Sequence, residues 1–244
     1  MVVKIENLHK SYKENLKKTK VLKGLNIHIP SWTIYWFLWP NWSGKTTTLK
    51  CLLGFLKYEQ GSIKVFDKNI KNSPEIFQKI WYAPENTYFY DFLRWLEFLI
   101  YLGKLSWIDK KTSKKRWLKL LDKLGLSKDK NKYIKSYSKW MKQRLGLAGS
   151  LINNPDLIFW DEPMSGLDPL WRNLVKNLMK DLKQQNKTIV FNTHVLSDVQ
   201  QVADRFGILY DGQIIYDGQP DQIKTSLEDF FIEQINTAKQ AKQK

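Results

Sequence analysis

The chain has 244 residues, 43% apolar and 26% charged with both signs interspersed, which excludes a disordered chain and allows one large α/β domain or two small ones. The single Cys51 excludes an internal disulfide, no Cys/His cluster has zinc spacing, and neither a signal peptide nor an apolar run near the ~18 residues of a membrane span is evident, so a soluble chain in a reducing compartment is expected. A net charge of +16 suits nucleic acid or an anionic membrane face, but the lysines in "KENLKKTK", "DKKTSKKR", "KDKNK" and "AKQAKQK" fit no nucleic-acid motif, so solvated surface is the simpler reading.

In chain order, the apolar runs "VVKIEN", "LNIHI" and "IYWFL" read as strands. A helix over "GKTTTLKCLLGFL" follows the third, and "GSIKVFD" returns as a strand after the turn at Gln60-Gly61. From about 86 to 152 the apolar residues of "FLRWLEFLIYLG", "KKRWLKLLDKLGL" and "QRLGLAGSLI" repeat every three or four positions, which predicts an inserted helical subdomain. Strand and helix then alternate through "LIFW", "LVKNLMKDLKQ", "TIVFN", "VLSDVQQVA" and "RFGILY", ending in a hairpin at Asp211-Gly212. Such alternation implies α/β architecture with a mostly parallel sheet. Residues 226–244 read as a basic C-terminal tail, the last dozen of them loose.

Two stretches carry chemistry. "WPNWSGKT", residues 39 to 46, matches the phosphate-loop pattern G-x-x-x-x-G-K-[ST] except at its opening glycine. In that pattern backbone N–H groups wrap the phosphates, the lysine adds charge at the β/γ oxygens, and the next hydroxyl binds Mg²⁺. Gly44, Lys45 and Thr46 keep these positions, with Pro40, Asn41, Trp42, Ser43 and Thr47 completing the loop. "DLIFWDEP", residues 156 to 163, is an apolar strand ending in two acids, where Asp161 suits a Mg²⁺ ion and Glu162 is placed to take a proton from an attacking water.

With these motifs in this order the chain resembles the ATP-binding cassette of ABC transporters over about residues 2 to 225. The resemblance implies a P-loop NTPase cassette with an N-terminal antiparallel β portion and a helical signature subdomain. It puts Tyr12 on the adenine, Glu85 of "WYAPEN" at the Q-loop near the metal, "YSKWMKQR" with Ser138 and Trp140 at the signature loop, "SGLD" with Asp168 at the D-loop, and His194 of "NTH" at the switch position. It further implies ATP and Mg²⁺ as ligands, a head-to-tail dimer with a second copy, and separate transmembrane permease subunits at the cytoplasmic face of a bacterial membrane. The aromatic stretch "WYAPENTYFYDFLRW" is where the family receives its membrane partner, and the C-terminal half most resembles single-cassette exporters of the ABC-2 type. A nucleic-acid-associated cassette and a degenerate, non-hydrolysing one are the alternatives.

Trp39 and Trp42 stand where the phosphate loop needs the smallest residue. Glycine there reaches φ > 0 and approaches phosphate closely, whereas a bulky residue in the left-handed region costs about 1–2 kcal/mol. Trp32, Trp36, Trp81, Trp95, Trp107, Trp140 and Trp171 likewise fall at family glycine positions, making nine of the 11 tryptophans, while Trp117 and Trp160 have no such assignment. One cause covers all nine: UGA encoding glycine in the source organism but written as tryptophan, so that the native loop reads GPNGSGKTTTL.

Overall fold

The computed structural model describes residues 1–14, 17–40, 42–129 and 131–241. Val3–Glu14 (β1) pairs antiparallel with Lys17–Ile29 (β2), and its inward residues Val3, Ile5 and Leu8 are fully buried. Ile34–Leu38 (β3) is buried at all five positions because both of its faces are covered, as for strands inside parallel sheets. It runs straight into the phosphate loop and the helix Lys45–Leu52 (α1). Gln60–Val65 (β4) and Lys68–Asn69 (β5) complete an antiparallel sheet of order β2-β1-β4-β5.

Ile80–Ala83 (β6) precedes three helices, Trp95–Leu105 (α2), Lys110–Lys123 (α3) and Lys139–Ser150 (α4). Leu157–Asp161 (β7), Pro169–Gln184 (α5), Thr188–Asn192 (β8), the single turn Leu196–Val199 (α6), Arg205–Tyr210 (β9) and Gln213–Gly218 (β10) follow. The second sheet has the order β10-β9-β3-β8-β7-β6, parallel throughout except for the β9-β10 hairpin. β3 inserts between β9 and β8, so the ends of β3, β7 and β8 emerge together along one edge.

Strand alternation divides the core in two. Tyr35 and Phe37 of β3 face the antiparallel sheet and α1, where they join Ile5, Leu25, Leu49, Leu52 and Ile63. Trp36 and Leu38 face the opposite way, toward the inserted helices and α5. Each fully buried large apolar side chain contributes roughly 1.5–3 kcal/mol, so the phosphate loop is anchored between two well-filled layers.

The C-terminal segment differs from its expected form. Leu227–Ala241 is a helix (α7), because Leu227, Phe230 and Ile235 recur at helical spacing and have a surface to cover. The Phe230 ring lies 4.8 Å from that of Tyr216 on β10. The stretch "VLSDVQQVA" forms only the one turn of α6 rather than a full helix.

Candidate nucleotide site

Gly44 holds φ at 102° as the N-cap of α1, and a Cβ there would lie 3.0 Å from Leu22 Cδ2 and 3.3 Å from the Val21 carbonyl. Only glycine fits that corner. The Gly44 carbonyl accepts from the backbone N–H of Thr48 at 2.8 Å and from its hydroxyl at 3.0 Å, which locks the first turn. A cavity of about 520 Å³ opens above this turn. Pro40, Trp42, Ser43, Gly44, Lys45, Thr46 and Thr47 line it from the loop, and Glu85, Glu162, Ser165 and His194 close it from β6, β7 and β8. Asn41, expected in the loop, lies outside the described residues.

Lys45 Nζ donates to Asp161 Oδ1 at 2.6 Å, and that oxygen also accepts from Asn192 Nδ2 at 2.6 Å. The Tyr82 hydroxyl donates to Asp161 Oδ2 at 3.3 Å. Glu162, the next residue, is buried and strained at φ 50°. Its Oε1 lies 3.2 Å from Nε2 of His194, whose side chain is 72% exposed and open to the cavity. Burial raises the Glu162 carboxyl above its ordinary value; the charges of His194 and Lys45 oppose that shift, and those of Asp161 and Glu85 add to it. Gln143 Nε2 of α4 donates to the Glu162 carbonyl at 2.8 Å, tying the signature helix to this residue.

The other expected site residues stand apart from the cavity. Tyr12 is beside its floor, its hydroxyl 3.4 Å from Thr47 Oγ1. Ser138 caps α4 by accepting from the Met141 N–H at 3.2 Å, and Asp168 caps α5 by accepting from the Trp171 N–H at 3.0 Å. The Trp140 ring lies against Gly166, where any Cβ would approach it to 2.4 Å. Asn192, Tyr82 and Gln143 were missed in the sequence. Asn192 carries no signal in the sequence, because its level with Asp161 depends on β8 pairing with β7.

A glycine-lysine loop, the strand-end Glu162 and His194 surround one cavity, with Asp161 behind it on Lys45. The ABC transporter family profile matches residues 22–165. The chain belongs to the ABC transporter family. It is an ATP-binding cassette of that family.

An uncharacterized ABC transporter ATP-binding protein of Synechocystis is 44% identical over 204 residues, covering 83% of this chain and 57% of the relative. The bacitracin transport ATP-binding protein BcrA of Enterococcus faecalis is 36% identical, covering 88% of this chain and 68% of its own. The lantibiotic transport ATP-binding protein SrtF of Streptococcus pyogenes is 34% identical and covers 96% and 97% respectively. The chain thus spans little more than half of the first relative and nearly all of the last. Among solved structures, an ATP-binding subunit of an ABC transporter superposes with TM-score 0.87 at 24% identity, covering 96% of this chain and 100% of that one. A dimeric post-hydrolysis cassette bound to ADP and Pi gives TM-score 0.80 at 24% identity, covering 89% and 98%. Both likenesses concern the fold.

The tryptophans of this cassette separate into distinct environments. Trp32, Trp42 and Trp107 hold φ at 62°, 68° and 56°. These residues are 60%, 100% and 92% exposed, so little burial offsets the strain. Trp39 does not share that backbone: it is absent from the left-handed region, and its ring stacks on Phe37 at 5.3 Å with Lys45 Nζ 4.9 Å above it. Of the two loop tryptophans, only Trp42 therefore takes the left-handed backbone expected of a family glycine. Trp95 is fully buried with its indole N–H unpartnered. Trp117 and Trp160 are equally buried, but their indoles donate to Ser113 and Ser150 at 2.9 and 2.8 Å, as core tryptophans should.

Proposed function

We propose that this chain hydrolyses ATP in a head-to-tail pair of cassettes and energises export through separate permease subunits at the cytoplasmic face of a bacterial membrane. The observation that carries the reading is one cavity in which Lys45, Thr46, Glu162 and His194 converge. The Ser43 hydroxyl is buried in the loop without a partner, an orphan donor of the kind a bound phosphate satisfies.

Phosphate entering the loop draws Lys45 from Asp161 onto the β/γ oxygens, and α1 presents its first N–H groups to the same anion. The freed Asp161 carboxylate and the Thr46 hydroxyl, with Glu85 at the rim, are hard oxygen donors. These groups would hold a Mg²⁺ ion that arrives with the nucleotide. Such an ion, when bound, neutralises charge on the phosphate oxygens. Glu162 accepts the proton of a water that attacks the γ-phosphorus, and the bond to the β–γ bridging oxygen breaks to give ADP and phosphate. A buried base with a raised carboxyl suits that task near neutral pH. His194 holds Glu162 and the water in line. The signature turn at Ser138 of the second copy caps the γ-phosphate, Tyr12 stacks on adenine, and Asp168 senses occupancy across the seam.

Two features support a membrane partner. Tyr88, Tyr90 and Phe92 form an exposed aromatic run beside a second cavity of about 330 Å³ between β6 and α4, a surface suited to docking a helix. The bacitracin and lantibiotic transport relatives favour an exporter of the ABC-2 type.

The native loop must still admit phosphate. Strain at Trp32, Trp42 and Trp107 and the orphaned indole of Trp95 support glycine as the native residue at those four positions, with Trp117 and Trp160 native. Trp36 is fully buried with its indole donating to the Thr193 carbonyl at 3.3 Å, so its place among the nine rests on the family pattern alone. The exposed Trp42 on the loop favours one second reading, a cassette that keeps the fold without turnover. Protein purified from its source distinguishes them: an intact mass with two tryptophans and nine additional glycines is expected, and eleven tryptophans would overturn the recoding. For the activity itself, Glu162→Gln in the glycine form should retain ATP binding while turnover falls by about 10²–10⁴-fold. Undiminished phosphate release would remove Glu162 as the base.

A further inference from the structure

Asp161 accepts three side-chain hydrogen bonds. Its Oδ1 takes Lys45 Nζ and Asn192 Nδ2, each at 2.6 Å, and its Oδ2 takes the Tyr82 hydroxyl at 3.3 Å. Glu162 Oε1 takes His194 Nε2 at 3.2 Å, and Asn192 Nδ2 lies 3.5 Å from that same oxygen. Asn192 is therefore the one side chain among the described residues that reaches both acids. It can do so because it ends β8, whose parallel pairing with β7 sets Asn192 level with Asp161. It is also buried, so water does not compete for its amide.

Lys45 has two employments and Asn192 has one. Once Lys45 turns to phosphate, Asp161 keeps only Asn192 and Tyr82. Without a donor between them, two adjacent carboxylates in a partly dry site repel and leave their rotamers. We propose that Asn192 is a positioning residue that bridges Asp161 and Glu162 and holds both carboxylates in their working geometry after Lys45 has moved to the nucleotide. The proposal rests on the ATPase reading above.

The test uses the full chain with glycine at the nine positions, alongside Asn192→Ala and Asn192→Asp. Asparagine and aspartate share a shape, so the second variant keeps the packing and turns the donor into an acceptor. Steady-state turnover gives kcat and KM, fluorescent ATP in EDTA gives a metal-free Kd, and thermal melting reports folding. Expected is a fall in kcat of at least ~10-fold in both variants with KM and the metal-free Kd held within about 3-fold. A smaller fall in Asn192→Ala overturns the proposal. So does a parallel loss of kcat and metal-free affinity, which marks a purely structural role. Should Asn192→Asp fail to melt cooperatively, Asn192→Ala decides alone. A parent chain without turnover overturns the ATPase reading and the proposal with it, whereas an active parent beside an equally active Asn192→Ala overturns the proposal only.

Discussion

Lys45 Nζ and Asp161 Oδ1 stand 2.6 Å apart, so the cation proposed for phosphate and the acid proposed for Mg²⁺ neutralise one another. Both are mostly buried, which makes the pair matter more than a surface ion pair. Lys45→Ala should lower ATP affinity by at least ~10-fold, because phosphate loses its point charge. It should also cost about 1–2 kcal/mol of stability, reduced from the fully buried case because Asn192 and Tyr82 still serve Asp161. Calorimetric titration and thermal melting measure the two effects separately.

Glu162 gives a pH-dependent consequence. Its carboxyl is raised above 4.5 by burial, so the folded chain binds this proton more tightly than the unfolded one does. That contribution is full below the unfolded value and is lost as pH rises through the folded one. Glu162→Gln, which mimics the neutral acid, should therefore melt higher than the parent at about pH 7.5 and converge with it near pH 4. Equal melting temperatures across that window would contradict the burial argument.

Cys51 is fully buried in α1, and burial pushes its thiol up to about 11. Thiolate is the reactive form, so a thiol reagent at about pH 8 should label the folded chain slowly and the urea-unfolded chain at once. Bound ATP should slow labelling further, since α1 opens the phosphate loop. Prompt stoichiometric labelling of native protein would show that α1 frays.

The tryptophans give opposite signs. Trp42→Gly should stabilise the chain by about 1–2 kcal/mol through relief of φ > 0, and Trp32→Gly and Trp107→Gly should follow it. Trp117→Gly and Trp160→Gly should each destabilise by about 3–5 kcal/mol, because each removes a buried ring and orphans a serine hydroxyl. Denaturant melts of the five variants check the contrast. Trp42→Gly should in addition strengthen ATP binding.

The sequence by itself determined the phosphate loop, the strand-end acids and the order of strands and helices, because each is written in residues adjacent along the chain: a glycine before a lysine, an apolar run before two carboxylates, an apolar residue every third or fourth position. It was silent where the physics depends on neighbours distant in sequence. β3, β7 and β8 come together only through sheet order, and that order alone brought Asn192 to Asp161 and His194 to Glu162. The same holds for the tail, where α7 is a helix because Tyr216 and Phe206 offer it an apolar surface. It holds too for the tryptophans: their positions were readable, but only backbone dihedrals and indole partners separated those that strain the chain from those that fill its core.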